Sequence, residues 1–492
     1  MANSENLAKT DSAATVAELI RKKKISTVEV MDAAIARIEA HNSKINALII
    51  LHLDQAREAA KAAEAAVMRG EKLGPLFGVP VAMKDCFDMK PGWVTTFGGV
   101  RALKNWKAST YCMWAERIEK AGAIIVGKTN SPAFGFRGTT DNYMFGPSKN
   151  PFNLSKNTGG SSGGSAGAVA AGLLPLCEGT DGGGSIRIPC SWSGVYGYKA
   201  SYGRVPFVTR PDAFSGTVPF VFEGPITRTV EDAALTMSAL AGYDSRDPFA
   251  LNGTVDFMAA LKASVKGKKI AYTRDFGIFP VAPLITAVTD KAVQAFVEAG
   301  AHVEEVKINI KRSQWELSEM WCRLVAPKQV AALESFRREG IDILRDHHDD
   351  MPPEFWYWDD IGRKLKVTDF IDDQSMRSEI IDALRPVLDN YDFLVSPTLA
   401  ALAVDNATDG NTLGPTEING EKINRLIGWC MTYLINFTGS PAATVPAGLA
   451  ANGLPVGMQI VGRRYDDAGV IAMSAAFEKF RPWIESYRHC KV

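Results

Sequence analysis

The chain has 492 residues, 46% hydrophobic and 22% charged, a composition that supports a large buried core. Lys+Arg and Asp+Glu both total 55, so no global field draws in nucleic acid or an anionic membrane. No stretch reaches 18 uninterrupted apolar residues, and no bilayer-spanning helix is expected. Met1 to Thr10 is polar and has neither the apolar core nor the basic start of a signal peptide. Helical periodicity appears over 15–23 and 27–40; in the second, Thr27 and Glu29 with apolar Val28, Met31, Ala34, Ile35 and Ile38 read as a capped amphipathic helix. Residues 53–69 are rich in Ala and charge and read as another helix.

At Phe77 the period changes. The run 77–85 is short and apolar and ends in Lys84-Asp85, which predicts a buried strand presenting both at its carboxyl end. A helix over 111–121 and a core strand over 123–127 follow. From Gly159 to Gly167 every residue but Ala166 is Gly or Ser. An apolar segment long enough for one helix and one strand leads to a second glycine-rich run, Gly179 to Arg187. Helices are then expected over 229–241, 288–299, 315–338, 376–388, 423–435 and 467–480. Strands are expected over 269–272, 302–306, 393–398, 442–445 and 456–461. Strands alternate with helices and hairpin signals are few, so the expected class is α/β: a central mixed, mostly parallel twisted sheet covered by helices on both faces. No internal repeat or long linker divides the chain, and residues 1–492 read as a single domain.

Seven cysteines (86, 112, 177, 190, 322, 430 and 490) are scattered and never in CxxC spacing. They read as reduced thiols of a cytoplasmic protein, with no disulfide framework and no metal site. Two motif matches are misleading. Gly122 to Thr129 fits GxxxxGK[ST], but its interior Ala-Ile-Ile-Val is itself the strand and the helix precedes it, so a phosphate loop is rejected. Gly159-Gly-Ser-Ser-Gly163 fits the GxSxG elbow of α/β-hydrolases, which needs a downstream histidine. Those available are His302, at the start of a strand, His347 and His348, in a run of charges, and His489, in the tail. A Ser-His-Asp triad is rejected as well.

Two glycine-rich runs bring bare N–H groups and hydroxyls into a small volume, which suits an anion or a developing oxyanion. No histidine occurs between residues 53 and 301, so a serine nucleophile there needs another base. A buried lysine can serve once its amine is neutral. Lys84 is the best placed, though a lysine at a strand end beside an aspartate can equally be an ordinary ion pair. The residues alone do not choose between Ser161 and its neighbour Ser162.

Lys84, Gly159-Gly-Ser-Ser-Gly-Gly-Ser165 and Gly179-Thr-Asp-Gly-Gly-Gly-Ser-Ile-Arg187 together resemble the signature of the amidase signature family, with Ser161 and Ser185 standing 24 positions apart. Family-like pieces at 127–132, 146–151, 224–229, 392–398, 438–441 and 455–460 extend the likeness over most of residues 15–480. The resemblance implies the amidase signature fold, with a signature core at 75–230 and a variable substrate-side region at 245–440. It also implies amide hydrolysis through an acyl-enzyme: Ser185 as nucleophile, Ser161 as the bridging serine after a cis peptide, and Lys84 as the base. By the same likeness Gly182, Gly183 and Gly184, with Ser185, supply oxyanion N–H groups, and Thr180, Asp181, Arg187 and Ser165 support the loops.

Aromatic residues in the variable segments are the expected substrate side: Phe134, Tyr143, Trp321, Trp356, Trp358 and Trp429, with the stretch Phe355–Trp358 read as a cap carried on a loop. The expected substrate is a small molecule, an aryl or medium-size acyl amide, with no cofactor and no nucleic-acid or membrane partner; a homodimer is the one protein partnership entertained. Among family members the likeness is to bacterial aryl acylamidases and to cyclic- and oligo-amide hydrolases. The alternatives are a urethane- or ester-cleaving hydrolase and the glutamine-hydrolysing A-type component of a tRNA-dependent amidotransferase.

Overall fold

In the computed structural model, which describes residues 12–492, the apolar runs assemble into one eleven-stranded sheet. The expectation for Met1–Thr10 lies outside the described residues. The strands are β1 (Leu48–Leu51), β2 (Pro80–Lys84), β3 (Ile124–Thr129), β4 (Leu176–Asp181), β5 (Tyr196–Lys199) and β6 (Phe222–Thr227), then β7 (Lys269–Tyr272), β8 (His302–Glu305), β9 (Phe393–Pro397), β10 (Ala442–Leu449) and β11 (Pro455–Gly462). Their spatial order is β1-β3-β2-β4-β6-β5-β10-β11-β9-β7-β8.

The α/β class and the mixed sheet are as expected, but the weighting is corrected: four neighbouring pairs are parallel and six antiparallel. The reason lies in the middle of the sheet. Strands β5 and β6 escaped the sequence reading, and β10 and β11 form a hairpin. Its turn closes through Gly453 N–H to Ala450 O and Ala450 N–H to Leu454 O, both 2.8 Å. The turn contains Asn452-Gly453, a hairpin signal the alternation argument passed over. Parallel pairing holds where it positions the site: β3, β2 and β4 are adjacent and parallel.

The helices used below are α1 (Thr27–Ile45), α2 (Gly163–Ala170), α3 (Arg187–Ser193), α4 (Gln314–Arg338), α5 (Pro353–Lys364), α6 (Val367–Asn390) and α7 (Asp467–Phe480). Helix α1 is capped by Ser26, one residue before the expected start, with Glu29 completing the capping box. Two expectations fail locally. The helix expected over 423–435 is helical only at Tyr433–Asn436; Asn424 Oδ1 instead accepts the Leu426 N–H at 3.0 Å, a local bond that competes with the helix. The expected loop at Phe355–Trp358 is the first half of α5, because Pro353 occupies a first-turn position where its missing N–H costs nothing.

Successive strand residues face opposite sides, so the sheet divides the core in two. Ile270, Tyr272, Phe393, Val395 and Ile460 join a cluster with Met237, Phe296 and Phe477. Ala271, Leu394 and Val461 join another with Trp321, Phe355, Ile380 and Trp429, carried largely by α4, α5 and α6. Among the described residues no helix is long and apolar enough to cross a membrane.

Candidate active site

Ligand sites in open α/β sheets gather where strands end. Here β3, β2 and β4 finish side by side, with Lys84 opposite Thr129 and Val81 and Ala82 opposite Leu176 and Cys177. That register sets the last residues of β2 beside those of β4. Lys84 is fully buried. Its Nζ lies 2.7 Å from Ser161 Oγ and 2.6 Å from Thr180 Oγ1, and its backbone N–H donates to Glu178 Oε2 at 2.7 Å. Asp85, the next residue, turns to the other face. It pairs with Lys128 at 3.3 Å and accepts the Thr96 N–H. The strand-end ion pair considered for Lys84 is therefore made by Lys128, and among the described residues no carboxylate lies within 4 Å of the Lys84 amine.

The Gly160–Ser161 peptide is cis. It is held by neighbours: a Cβ on Gly160 would lie 2.6 Å from the Thr139 backbone, and Thr140 Oγ1 donates to Ser161 O at 3.3 Å. Between Ser161 and Ser162 the structure brings Ser161 to the lysine. Ser162 does another job: its N–H donates to Ser185 O at 3.2 Å, and its Oγ accepts the Thr180 N–H at 3.3 Å. These bonds tie the two glycine-rich runs together beside a half-buried Ser185. Helix α2 starts directly after them. Gly164 is required there because a Cβ would sit 2.3 Å from Asn130 N. Ser165 shares a hydrogen bond with Thr129 at 2.7 Å, fixing α2 to the end of β3.

Asp181 and Arg187 shape the second loop. Two guanidinium nitrogens reach the two Asp181 oxygens at 3.0 and 2.9 Å, and the same carboxylate accepts the N–H groups of Gly184 (2.8 Å) and Ile186 (3.3 Å). Burial pushes this carboxyl upward, but the Arg187 charge and hydrogen bonds, with help from Lys199 and Asn436, hold it below its ordinary value. Gly184 thus differs from the expected oxyanion donor, since its N–H is already engaged. The N–H groups of Gly182, Gly183 and Ser185 have no hydrogen-bond acceptor among the described residues.

The expected aromatic residues scatter. Trp429 is fully buried and stacked on Trp192 at 4.4 Å, and Phe134 packs among Phe97, Phe336 and Phe355; both belong to the core. Trp356 stacks on His348 and donates to its carbonyl, Trp358 packs edge-on against Tyr357, and Tyr143 is half-buried against Gly410. Only Trp321 reaches the glycine loop, through Nε1 to Gly182 O at 3.0 Å. The sequence reading missed Thr432, which donates to Gly183 O at 2.7 Å, and Asn436 and Gln459, which accept from Arg187 at 2.6 and 3.1 Å. Gln459 lies inside the family-like segment 455–460; nothing local marks the other two.

Behind Lys84, ligand atoms of Asp88, Cys112 and Glu223 lie within 4.8 Å of one another, all buried. Burial, with the neighbouring acids, holds Glu223 and Glu178 well above the carboxylate range and lifts Asp88 to about 6. The Cys112 thiol is pushed up too.

The amidase family profile matches residues 29–471. A crystal structure of a bacterial aryl acylamidase of the amidase signature enzymes superposes with a TM-score of 0.95 at 49% identity, covering 97% of this chain and 98% of its own. An acylamidase of Rhodococcus erythropolis is 35% identical over 96% of both chains. The A subunit of the glutamyl-tRNA(Gln) amidotransferase of Moorella thermoacetica is 33% identical over 94% of this chain and 95% of its own. The buried lysine, the cis serine and the glycine loop thus sit in a chain that belongs to the amidase signature family, whose chemistry here is hydrolysis of amide C–N bonds.

Proposed function

We propose that the protein hydrolyses aryl or medium-size acyl amides through a Ser185-Ser161-Lys84 relay and an acyl-enzyme. The contact of Lys84 Nζ with Ser161 Oγ at 2.7 Å, inside a fully buried pocket of hydroxyls, is the observation that carries this reading. Ser185 Oγ attacks the amide carbonyl. Its proton passes to Ser161 Oγ while the Ser161 proton passes to the Lys84 amine. The negative oxygen is received by the N–H groups of Gly183 and Ser185, with Gly182 beside them. Lys84 returns its proton through Ser161 to the nitrogen as the C–N bond breaks, and water, deprotonated by the same relay, frees the acid. Thr180 fixes the amine, while Asp181, Arg187 and Ser165 fix the loops around it.

The aryl acylamidase likeness supports an apolar acyl pocket, with Trp321 beside the nucleophile loop. The amidotransferase likeness supports the rival, a glutaminase active only with partner proteins. Assay of the purified chain on anilides and on glutamine separates them: turnover of anilides by the chain alone is expected, and activity confined to glutamine with an added partner would overturn it. Ser185→Ala is expected to abolish turnover, by at least about 10⁴-fold, and to remove labelling by a fluorophosphonate, with an unchanged unfolding midpoint. A variant that still turns over at near wild-type rate defeats the assignment.

A further inference from the structure

We infer that Trp321 and Thr432 are positioning residues that aim the oxyanion N–H of Gly183 by clamping two carbonyls of the nucleophile loop. The inference rests on the proposed Ser185 chemistry and extends it into the variable half of the chain. A trans peptide is planar, with its C=O and N–H pointing in opposite directions, so whatever holds the oxygen also aims the hydrogen. The peptide between Gly183 and Gly184 is held at both ends, its oxygen by Thr432 Oγ1 at 2.7 Å and its N–H by Asp181 Oδ1 at 2.8 Å. The preceding peptide, between Gly182 and Gly183, is held at its oxygen alone, by Trp321 Nε1 at 3.0 Å. Its N–H, on Gly183, is directed away from the indole and remains free for a ligand.

Packing gives the clamp its stiffness. Trp321 is 5% exposed, and a Cβ on Gly183 would lie 2.7 Å from its Nε1 and Cε2. A Cβ on Gly184, where φ is +124°, would meet Thr432 Oγ1. Glycine at both positions lets indole and hydroxyl close directly onto the loop backbone. Neither clamp belongs to the signature core: Trp321 lies on α4 and Thr432 just before the short helix Tyr433–Asn436. A helix from the variable half of the chain therefore sets the donor for the transition state.

Oxyanion donors act on charge that develops only in the transition state. Trp321→Phe keeps an aromatic ring at the position and removes the N–H. For an anilide substrate, kcat is expected to fall by about 10- to 100-fold with KM within about twofold, less than the loss of a whole donor. Affinity for a trifluoromethyl ketone, which mimics the tetrahedral adduct, should fall by the same factor, and the loss in kcat should be the same for anilides of different acyl size. Thr432→Val should act in the same sense, and Thr432→Ser should restore activity; this pair carries the test if the Trp321 variant does not fold. Unchanged kcat and ketone affinity in folded Trp321→Phe or Thr432→Val overturns the inference. So does a change confined to KM that varies with acyl size, the mark of a pocket wall. Fluorophosphonate labelling of Ser185 in the unaltered protein is the separate check: its failure removes the underlying chemistry, whereas its success with unaffected variants removes only the clamp.

Discussion

At the scale of single residues, the site turns on a lysine that has lost the partner its sequence offers. Side chains alternate along a strand, so Lys84 and Asp85 cannot serve the same face. Asp85 goes to Lys128 and leaves the Lys84 amine to two hydroxyls. In the proposed relay the Lys84 amine holds one N–H on Thr180 while it exchanges a proton with Ser161. This gives Thr180 more than a supporting part. Thr180→Val should keep the fold yet lower kcat by about 10-fold or more through a misdirected amine, with Thr180→Ser close to wild type. Lys84→Ala should leave weak activity that climbs steeply with pH, as hydroxide replaces the missing base. Rate–pH profiles of the three variants decide the point: a Lys84→Ala profile equal to wild type at neutral pH takes lysine out of the mechanism.

At the scale of elements, what was legible in the sequence was whatever is encoded locally. The period change at Phe77 located β2 and delivered Lys84; α7 was read at its observed ends, and β7 as well. The two glycine-rich runs and their spacing pointed to Ser161 and Ser185. What was not legible was set by contacts distant in the chain. Strand β5 is only the four residues Tyr-Gly-Tyr-Lys and β6 is interrupted by Gly224-Pro225, so neither offers a run long enough to stand out as a strand. The aromatic residues looked like a pocket because hydrophobic patterning does not distinguish a cavity wall from a core stack such as Trp192 on Trp429. Asn436 and Gln459 reach Arg187 from 249 and 272 positions away. Through them Arg187, at the start of α3, joins the end of β4 to β11 and the 433–436 helix. Because Arg187 and Asp181 are both fully buried, Arg187→Met should leave an uncompensated carboxylate and cost about 3–5 kcal/mol, read as a lowered denaturation midpoint. A loss below about 1 kcal/mol would show that the junction is not held by this network.

At the scale of the whole molecule, equal numbers of acidic and basic residues keep net charge from governing stability near neutrality, so the pH dependence falls to groups buried in unusual protonation states. Asp88 is fully buried, and burial raises it from 3.8 to about 6 against the opposing pull of Lys84, Lys128 and a side-chain hydrogen bond with Glu178. Glu178 and Glu223, its neighbours, are displaced in the same direction, and Asp232 is raised by burial to about 6 at a separate place. For Asp88 the sign follows from where the proton resides. Below about pH 4 folded and unfolded chains both hold it. Between about 4 and 6 only the folded chain does, so each rise in pH draws the equilibrium toward the unfolded state. Above about 6 the folded protein carries a buried charge and the loss is complete, on the order of 3 kcal/mol for a shift of this size. Asp181 works in reverse, its contribution present at neutral pH and lost only in acid, below the ordinary carboxylate range. The two trends together place maximal stability on the acid side of neutrality. The unfolding midpoint of the purified protein should therefore fall as pH rises from 5 to 7. Asp88→Asn, which retains a neutral side chain of the same shape, should flatten that fall and exceed the wild type above pH 6. Because the three carboxyls near Lys84 interact, the slope belongs to the group and not to Asp88 alone, and some of it should survive the substitution. A midpoint that rises steadily from pH 5 to 7, or an Asp88→Asn protein that follows the wild-type curve at every pH, would mean that these buried acids are ionised in the folded protein.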